Sequence, residues 1–173
     1  DLCGIKVDEI NLNAFLSKSK NVKSTEIEPT LNNLKKTIPS IREVNQKELR
    51  LSLKLETSMK KYKDEGEYDA FALRCWPEMF TEYGGAICAP ASMMTEKKVP
   101  CACECDVYGA VTQLILQEVS GQTVFLTDIV DIDIDDNSGV FWHCGQAPIS
   151  MCNPNIKPAA TIHTNRKMPL LFE

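Results

Sequence analysis

Two carboxylates, Glu104 and Asp128, are the side chains of this 173-residue sequence best placed for chemistry. Glu104 lies in the run Cys-Ala-Cys-Glu-Cys-Asp at residues 101–106, which is typical of a strand that leads directly into a helix. Ligands of α/β proteins bind at the C-terminal ends of strands, beside helix N-termini. Position alone supports two interpretations equally: a functional Glu104, or a surface Glu104 beside an Asp106 that caps the helix.

Asp128 interrupts an apolar run at residues 124–130. A carboxylate in such a run is costly unless it is paired, hydrogen-bonded or bound to a metal ion. Further aspartates alternate with isoleucine after it, but the tract lacks the glycine and the final glutamate of an EF-hand calcium loop. The favoured interpretation of Asp131, Asp133 and Asp135 is therefore a polar strand face.

The histidines and cysteines offer weaker candidates. His143 and His163 are the two histidines of the sequence, and an isolated histidine is more often structural than a ligand. Three cysteines alternate along the predicted strand and should share one face of it, opposite Glu104: Cys101, Cys103 and Cys105. A zinc site is disfavoured, because three thiolates on one strand do not easily close a tetrahedron and no Cys-x-x-Cys pair supplies the rest.

The elements that must position these residues alternate between strand and helix up to residue 120. This pattern predicts an α/β fold with a Rossmann-like parallel sheet and flanking helices. In order, we expect a strand at 4–10, a helix at 12–20, a polar connector, a helix at 45–64, a strand at 68–75, a short helix ending at 84–85, a helix at 90–98, a strand at 99–104, a helix at 106–120 and a hairpin at 124–143. The hairpin breaks the rhythm, so we predict a Rossmann-like domain at 1–120 and the start of a β-rich C-terminal domain at 121–173, loop-like after residue 147.

Composition excludes several classes of function. The net charge of -5 and the pI near 5.2 argue against a nucleic-acid-binding protein, which normally has a basic face. The apolar runs are far shorter than the roughly 20 residues of a membrane span. No signal peptide is visible and the cysteines read as free thiols, so we expect a cytoplasmic protein. The sequence lacks an initial Met, so we also expect a processed chain or a fragment.

Four short motifs, taken together, resemble the L-fucose isomerase-like family, which includes relatives of L-arabinose isomerase. Each motif is weak alone, and their order and spacing make the combination specific. The resemblance covers most of residues 68–173 and extends more weakly to the first predicted strand and helix. The motifs are Arg-Cys-Trp-Pro-Glu at 74–78, Cys-Glu-Cys-Asp-Val-Tyr-Gly-Ala at 103–110, Asp-Ile-Val at 128–130 and Phe-Trp-His-Cys-Gly at 141–145.

The resemblance implies a metal-dependent aldose–ketose isomerase acting on a small sugar. Glu104 and Asp128 would bind a divalent cation, typically Mn²⁺, and would transfer protons through an enediol. It also implies a middle domain followed by the start of a C-terminal domain, and assembly into a homo-oligomer. Further residues expected to line the sugar site are Trp76, Glu78, His143 and Gln146.

The family's third metal ligand has no evident counterpart in this sequence. That ligand is a histidine late in the C-terminal domain, and His143 is the candidate substitute here. Two further interpretations therefore stay open beside the isomerase. One is a non-catalytic sugar-binding or assembly module with an incomplete metal site, and the other is a cysteine-based zinc protein.

Overall fold

Helices form most of the first half of the chain. The computed structural model describes residues 4–162 and the backbone of 169–172. Its helices are α1 (Leu12–Lys20), α2 (Ser24–Thr37), α3 (Gln46–Gly66), α4 (Cys88–Thr95) and α5 (Val107–Ser120), with 3-10 turns at Pro39–Arg42 and Ile149–Met151 and a π-helical turn at Met79–Tyr83. Its strands are β1 (Phe71–Leu73), β2 (Cys101–Cys103), β3 (Asp128–Asp133), β4 (Ser138–Trp142), β5 (Ala160–Ile162) and β6 (Pro169–Phe172).

The described strands pair into three small sheets. Strands β1 and β2 are parallel, with Leu73 opposite Cys103. Strands β3 and β4 form an antiparallel hairpin, and β5 and β6 form a second antiparallel pair. The predicted class is confirmed: a mixed α/β protein with a small parallel sheet, flanking helices and a β-rich C-terminal part. The division into domains at residue 120 stays a prediction.

Local signals placed several elements correctly. Helix α5 begins after Asp106, whose Oδ1 accepts a hydrogen bond from the Gly109 amide at 2.7 Å. It ends at Gly121, which adopts the left-handed conformation (φ 65°) that glycine accommodates without strain. Helix α3 is capped by Asn45, whose side-chain oxygen accepts hydrogen bonds from the backbone N–H groups of Lys47 and Glu48. These signals act within a few residues, so the sequence alone reveals them.

Three predicted segments are wrong. Residues 4–10 form no strand: Ile5 and Val7 are exposed, and an alternating pattern becomes a strand only where a neighbouring strand pairs with it. The polar connector is helix α2, which buries Ile27, Leu31 and Leu34 at helical spacing around Pro29. The loop-like tail contains β5, which pairs with β6.

Helix α3 separates two apolar clusters. On one side Leu55 and Met59 pack with α1, both strands of the parallel sheet and the segment from Met79 to Met94. On the other side Leu49 and Leu53 pack with α2 and the first 3-10 turn. The Ala160 amide donates to Ser40 Oγ at 2.8 Å, which ties β5 to this second cluster. Among the described residues, no helix combines the length and apolar composition that a bilayer span requires.

Candidate functional site

The ends of the two parallel strands bring Cys75 and Glu104 together. Cys75 follows β1 and Glu104 follows β2, so both residues lie at the C-terminal edge of the parallel pair. The Cys75 thiol donates to Glu104 Oε1 at 3.3 Å. Cys75 is buried, at 5% exposure, whereas Glu104 is exposed. The Glu104 carboxylate is therefore held by the buried Cys75 thiol and remains accessible to a ligand from solvent.

The cysteines around Glu104 differ in burial. Cys101 and Cys103 are buried in β2, whereas Cys105 is exposed and has a left-handed backbone (φ 54°). The prediction that three cysteines share one strand face is wrong for Cys105, because β2 ends at Cys103. For the same reason Glu104 lies beyond the strand instead of on its opposite face. None of the seven cysteines among the described residues forms a disulfide.

The β3–β4 hairpin places Asp128 and His143 at the same edge. Asp128 lies opposite Trp142 in the hairpin register, and His143 follows directly after β4. The pKa of the His143 ring is raised in part by the backbone of Cys103, the residue before Glu104. The end of the hairpin therefore lies near the end of β2.

Electrostatic coupling supports this proximity. The pKa of His143 is raised, chiefly by its hydrogen bond with Cys144, and the charge of Asp128 contributes in the same direction. Burial of the ring opposes the increase, because burial disfavours the charged imidazolium. The pKa of the Cys75 thiol is raised strongly, first by its hydrogen bond with Cys103 and then by burial. The site thus combines an imidazole with a thiol that stays protonated.

Glu78 and Trp76 lie on the exposed side of the same strand end. Arg74 grips the Glu78 carboxylate with two hydrogen bonds, of 2.9 and 2.7 Å, and this pairing lowers the pKa of Glu78. Trp76 is 39% exposed, and its ring lies 5.9 Å from that of Phe80. An open depression of about 370 Å³ is lined by Asn11, Leu12, Asn13, Arg74, Glu78 and Glu82.

Gln146 is buried, at 3% exposure, in contrast to the exposed Trp76. Within the described part of the chain its Nε2 has no hydrogen-bond partner. A buried amide that lacks a partner is costly, and such groups commonly serve a ligand or an ordered water. His163, the other histidine of the sequence, lies outside the described residues.

The donor types at this edge suit a divalent cation, but the arrangement is incomplete. Carboxylate and imidazole ligands match Mn²⁺, and His143 Nδ1 is buried without a hydrogen-bond partner among the described residues. No three His, Cys, Asp or Glu side chains in the described ranges are grouped closely enough to hold a metal ion. Glu104, Asp128 and His143 therefore do not form a complete metal site by themselves.

Two residues at this edge were not predicted to belong to the site. Cys75 is one of the cysteines expected to be a free thiol, and its thiol contacts the Glu104 carboxylate. Arg74 belongs to the Arg-Cys-Trp-Pro-Glu motif, and its guanidinium fixes the Glu78 carboxylate. The available signal was their position directly after β1, since parallel strands end at a common edge. The motif at 74–78 follows β1 and the motif at 103–110 begins at the end of β2, and only the pairing of these two strands brings the motifs together.

Comparison with known proteins finds relatives named sulfoquinovose isomerase. The chain is 30% identical over 174 aligned residues to a sulfoquinovose isomerase of Alkalicoccus urumqiensis, which covers 100% of this chain and 39% of that protein. It is 42% identical over 113 residues to a sulfoquinovose isomerase of Priestia megaterium (strain ATCC 12872 / QMB1551), covering 65% of this chain and 25% of that protein. A sulfoquinovose isomerase of Clostridium sp. (strain MSTE9) is 36% identical over 99 residues.

The matched part of the chain thus spans between 22% and 39% of the length of these relatives. No protein-family model matches it, and no solved structure matches it. The predicted resemblance to sugar isomerases is confirmed at that level by the names of the relatives. These matches support sugar isomerases as a group and do not distinguish the fucose and arabinose type within it.

Proposed function

We propose that this chain supplies the acid–base carboxylates of an aldose–ketose sugar isomerase of the fucose and arabinose type. The observation that carries the proposal is the position of Glu104 at the C-terminal edge of the parallel strands, with His143 electrostatically coupled to Asp128 and to the backbone of the preceding residue, Cys103. The similarity to sulfoquinovose isomerases over the full length of the chain supports the same reaction class.

The reaction requires a proton to leave the carbon beside a carbonyl and to return to the neighbouring carbon. In our proposal one carboxylate removes that proton while the other protonates the opposite end of the enediol, and the roles reverse in the back reaction. Glu104 and Asp128 both have exposed side chains, so a sugar can reach them from solvent. A divalent cation, when bound, would stabilise the oxyanion that develops on the sugar.

We propose Mn²⁺ or a similar divalent cation as the cofactor, held by Glu104, Asp128 and His143 together with donors beyond the described residues. Additional donors are needed because no three His, Cys, Asp or Glu side chains in the described ranges lie close enough together to hold a metal ion. Metal titration of the purified protein by calorimetry tests this directly. Binding that disappears in Asp128→Asn is the expected result, and binding that is unchanged in that variant contradicts this ligand assignment.

The names of the relatives lead us to propose a sulfonated sugar as the substrate. Trp76 and Glu78 would contact it from the exposed side of the site, and Gln146 would offer its unpartnered amide from the buried side. The free thiols of the described residues favour a reducing compartment, so we place the protein in the cytoplasm. A homo-oligomer remains part of the proposal, since the family resemblance implies one.

The test is isomerisation of sulfoquinovose and of simple aldoses with added Mn²⁺, comparing wild type with Glu104→Gln and Asp128→Asn. Both substitutions keep side-chain size and remove the proton-accepting charge, so each should lower kcat by at least about 100-fold. Asp131→Asn is the matched control, because Asp131 lies on the same strand as Asp128 and its Oδ1 accepts a hydrogen bond from the adjacent Ile132 amide. Turnover that survives in Glu104→Gln would refute the assigned role.

The second candidate is a sugar-binding or assembly module without turnover. The incomplete metal arrangement favours it. It predicts sugar binding that calorimetry detects and that Glu104→Gln leaves intact, with no conversion of aldose to ketose. A stoichiometric zinc content that survives Glu104→Gln and disappears in Cys103→Ser would instead support the cysteine-based zinc protein.

A further inference from the structure

Glu104 is held at two points, one on the adjacent backbone and one on its side chain. The Cys105 amide donates to the Leu73 carbonyl at 2.8 Å, which joins the backbone after β2 to the end of β1. The side chain is fixed separately, by the 3.3 Å hydrogen bond from the Cys75 thiol to Oε1. A glutamate beyond the end of a strand has three rotatable side-chain bonds, so without the second contact its carboxylate would sample several positions.

We infer that Cys75 is a positioning residue, whose thiol holds Oε1 of Glu104 so that Oε2 faces the sugar. The inference rests on the proposed function, in which Glu104 transfers protons. Cys75 can do this because it is buried, lies shortly after β1 and belongs to the same apolar cluster as Cys103. Catalytic groups act efficiently only when their own orientation is fixed by such supporting contacts.

A thiol suits this task better than a cation would. An ordinary cysteine is protonated at neutral pH, so it donates a hydrogen bond without bringing a charge to the carboxylate. A lysine or arginine in the same place would stabilise the ionised carboxylate strongly and weaken it as a proton acceptor. Arg74, the residue before Cys75, is instead committed to Glu78 through two hydrogen bonds.

The kinetic test compares Cys75→Ala with Cys75→Ser. Loss of the donor in Cys75→Ala should lower kcat about tenfold and change KM less than about twofold, since the lost contact orients a reacting group and does not bind the sugar. The serine hydroxyl can donate to the same oxygen, so Cys75→Ser should stay within about threefold of wild type. Equal losses in both variants would overturn the inference.

Cys101→Ala is the matched control. Cys101 is buried on the neighbouring strand to a similar degree, but its thiol contacts the Val99 carbonyl and not Glu104. Its removal costs comparable packing and should leave kcat unchanged. A fall in kcat equal to that of Cys75→Ala would mean that loss of packing, and not loss of the hydrogen bond, explains the result.

A second measurement does not depend on turnover. The carboxyl ¹³C resonance of Glu104, assigned by its disappearance in Glu104→Gln, should move in Cys75→Ala, return towards wild type in Cys75→Ser and stay in place in Cys101→Ala. A resonance that does not respond to Cys75→Ala overturns the inference even if the enzyme is active. Wild-type protein without isomerase activity would refute the proposed function instead, so the two failures are distinguishable.

Discussion

Glu56 is the most buried charge of the described residues, and its two lysine partners make a sharp prediction about stability. Glu56 lies on α3 with no exposed surface. Lys60 and Lys97 both contact the same oxygen, Oε1, at 2.5 and 2.7 Å, while Oε2 has no partner among the described residues. The substitutions Lys60→Met and Lys97→Met remove each charge and keep the apolar part of each side chain.

The geometry sets the expected magnitude. Removing the partner of a buried charge costs about 3–5 kcal/mol of unfolding free energy. In each single variant the other lysine still contacts the same oxygen of Glu56. The two lysine side chains are also 37% and 49% exposed, so solvent screens their charges. Each single variant should therefore lose only about 1 kcal/mol of unfolding free energy. The double variant leaves Glu56 without a counter-charge and should lose about 3–4 kcal/mol. The interaction energy between the two sites is then about 1–2 kcal/mol.

Urea denaturation at pH 7, with the slope compared between variants, gives these free energies. Adding Glu56→Gln to the double variant provides the control, because removing the unpaired buried charge should restore about half of the lost stability. A double variant that loses no more than the sum of the two single variants would refute the reasoning. The lysines would then contribute independently of any buried carboxylate.

The remaining predictions concern the core, one ion pair and one helix cap. Ile27→Ala should lower the unfolding free energy by about 3 kcal/mol because Ile27 is fully buried, whereas Ile134→Ala, at a site that is 88% exposed, should change it by less than about 0.5 kcal/mol; urea denaturation measures both. Lys61 lowers the pKa of Glu26, so Glu26 contributes stability above its unfolded pKa and loses that contribution as pH falls through its folded pKa. Thermal melts between about pH 6 and pH 2 should therefore show a shallower acid loss in Glu26→Gln than in wild type. Asp106→Ala should cost about 1 kcal/mol of stability through loss of the α5 cap, and Asp106→Asn much less; equal costs in both would contradict the capping role.

Short-range signals in the sequence determined several elements correctly. The cap at Asp106 and the stop at Gly121 bounded α5, and the turn between β3 and β4 was visible in its Asp, Asn and Gly residues. Helix α2 could also have been found, since Ile27, Leu31 and Leu34 recur at helical spacing. Pro29 lies inside that helix, where it removes one backbone hydrogen bond, so the buried apolar residues and not the proline decided the local structure.

Only the tertiary structure decided which of these residues meet. The motifs that contain Cys75, Glu104 and His143 are separated in the chain, and nothing local shows that the Cys75 thiol reaches the Glu104 carboxylate. The same limit explains the wrong strand at residues 4–10, whose alternating pattern lacks a neighbour to pair with. Helix caps and turns are set by contacts within a few residues, whereas strands and sites depend on contacts between distant segments, which the chain acquires only when its core packs.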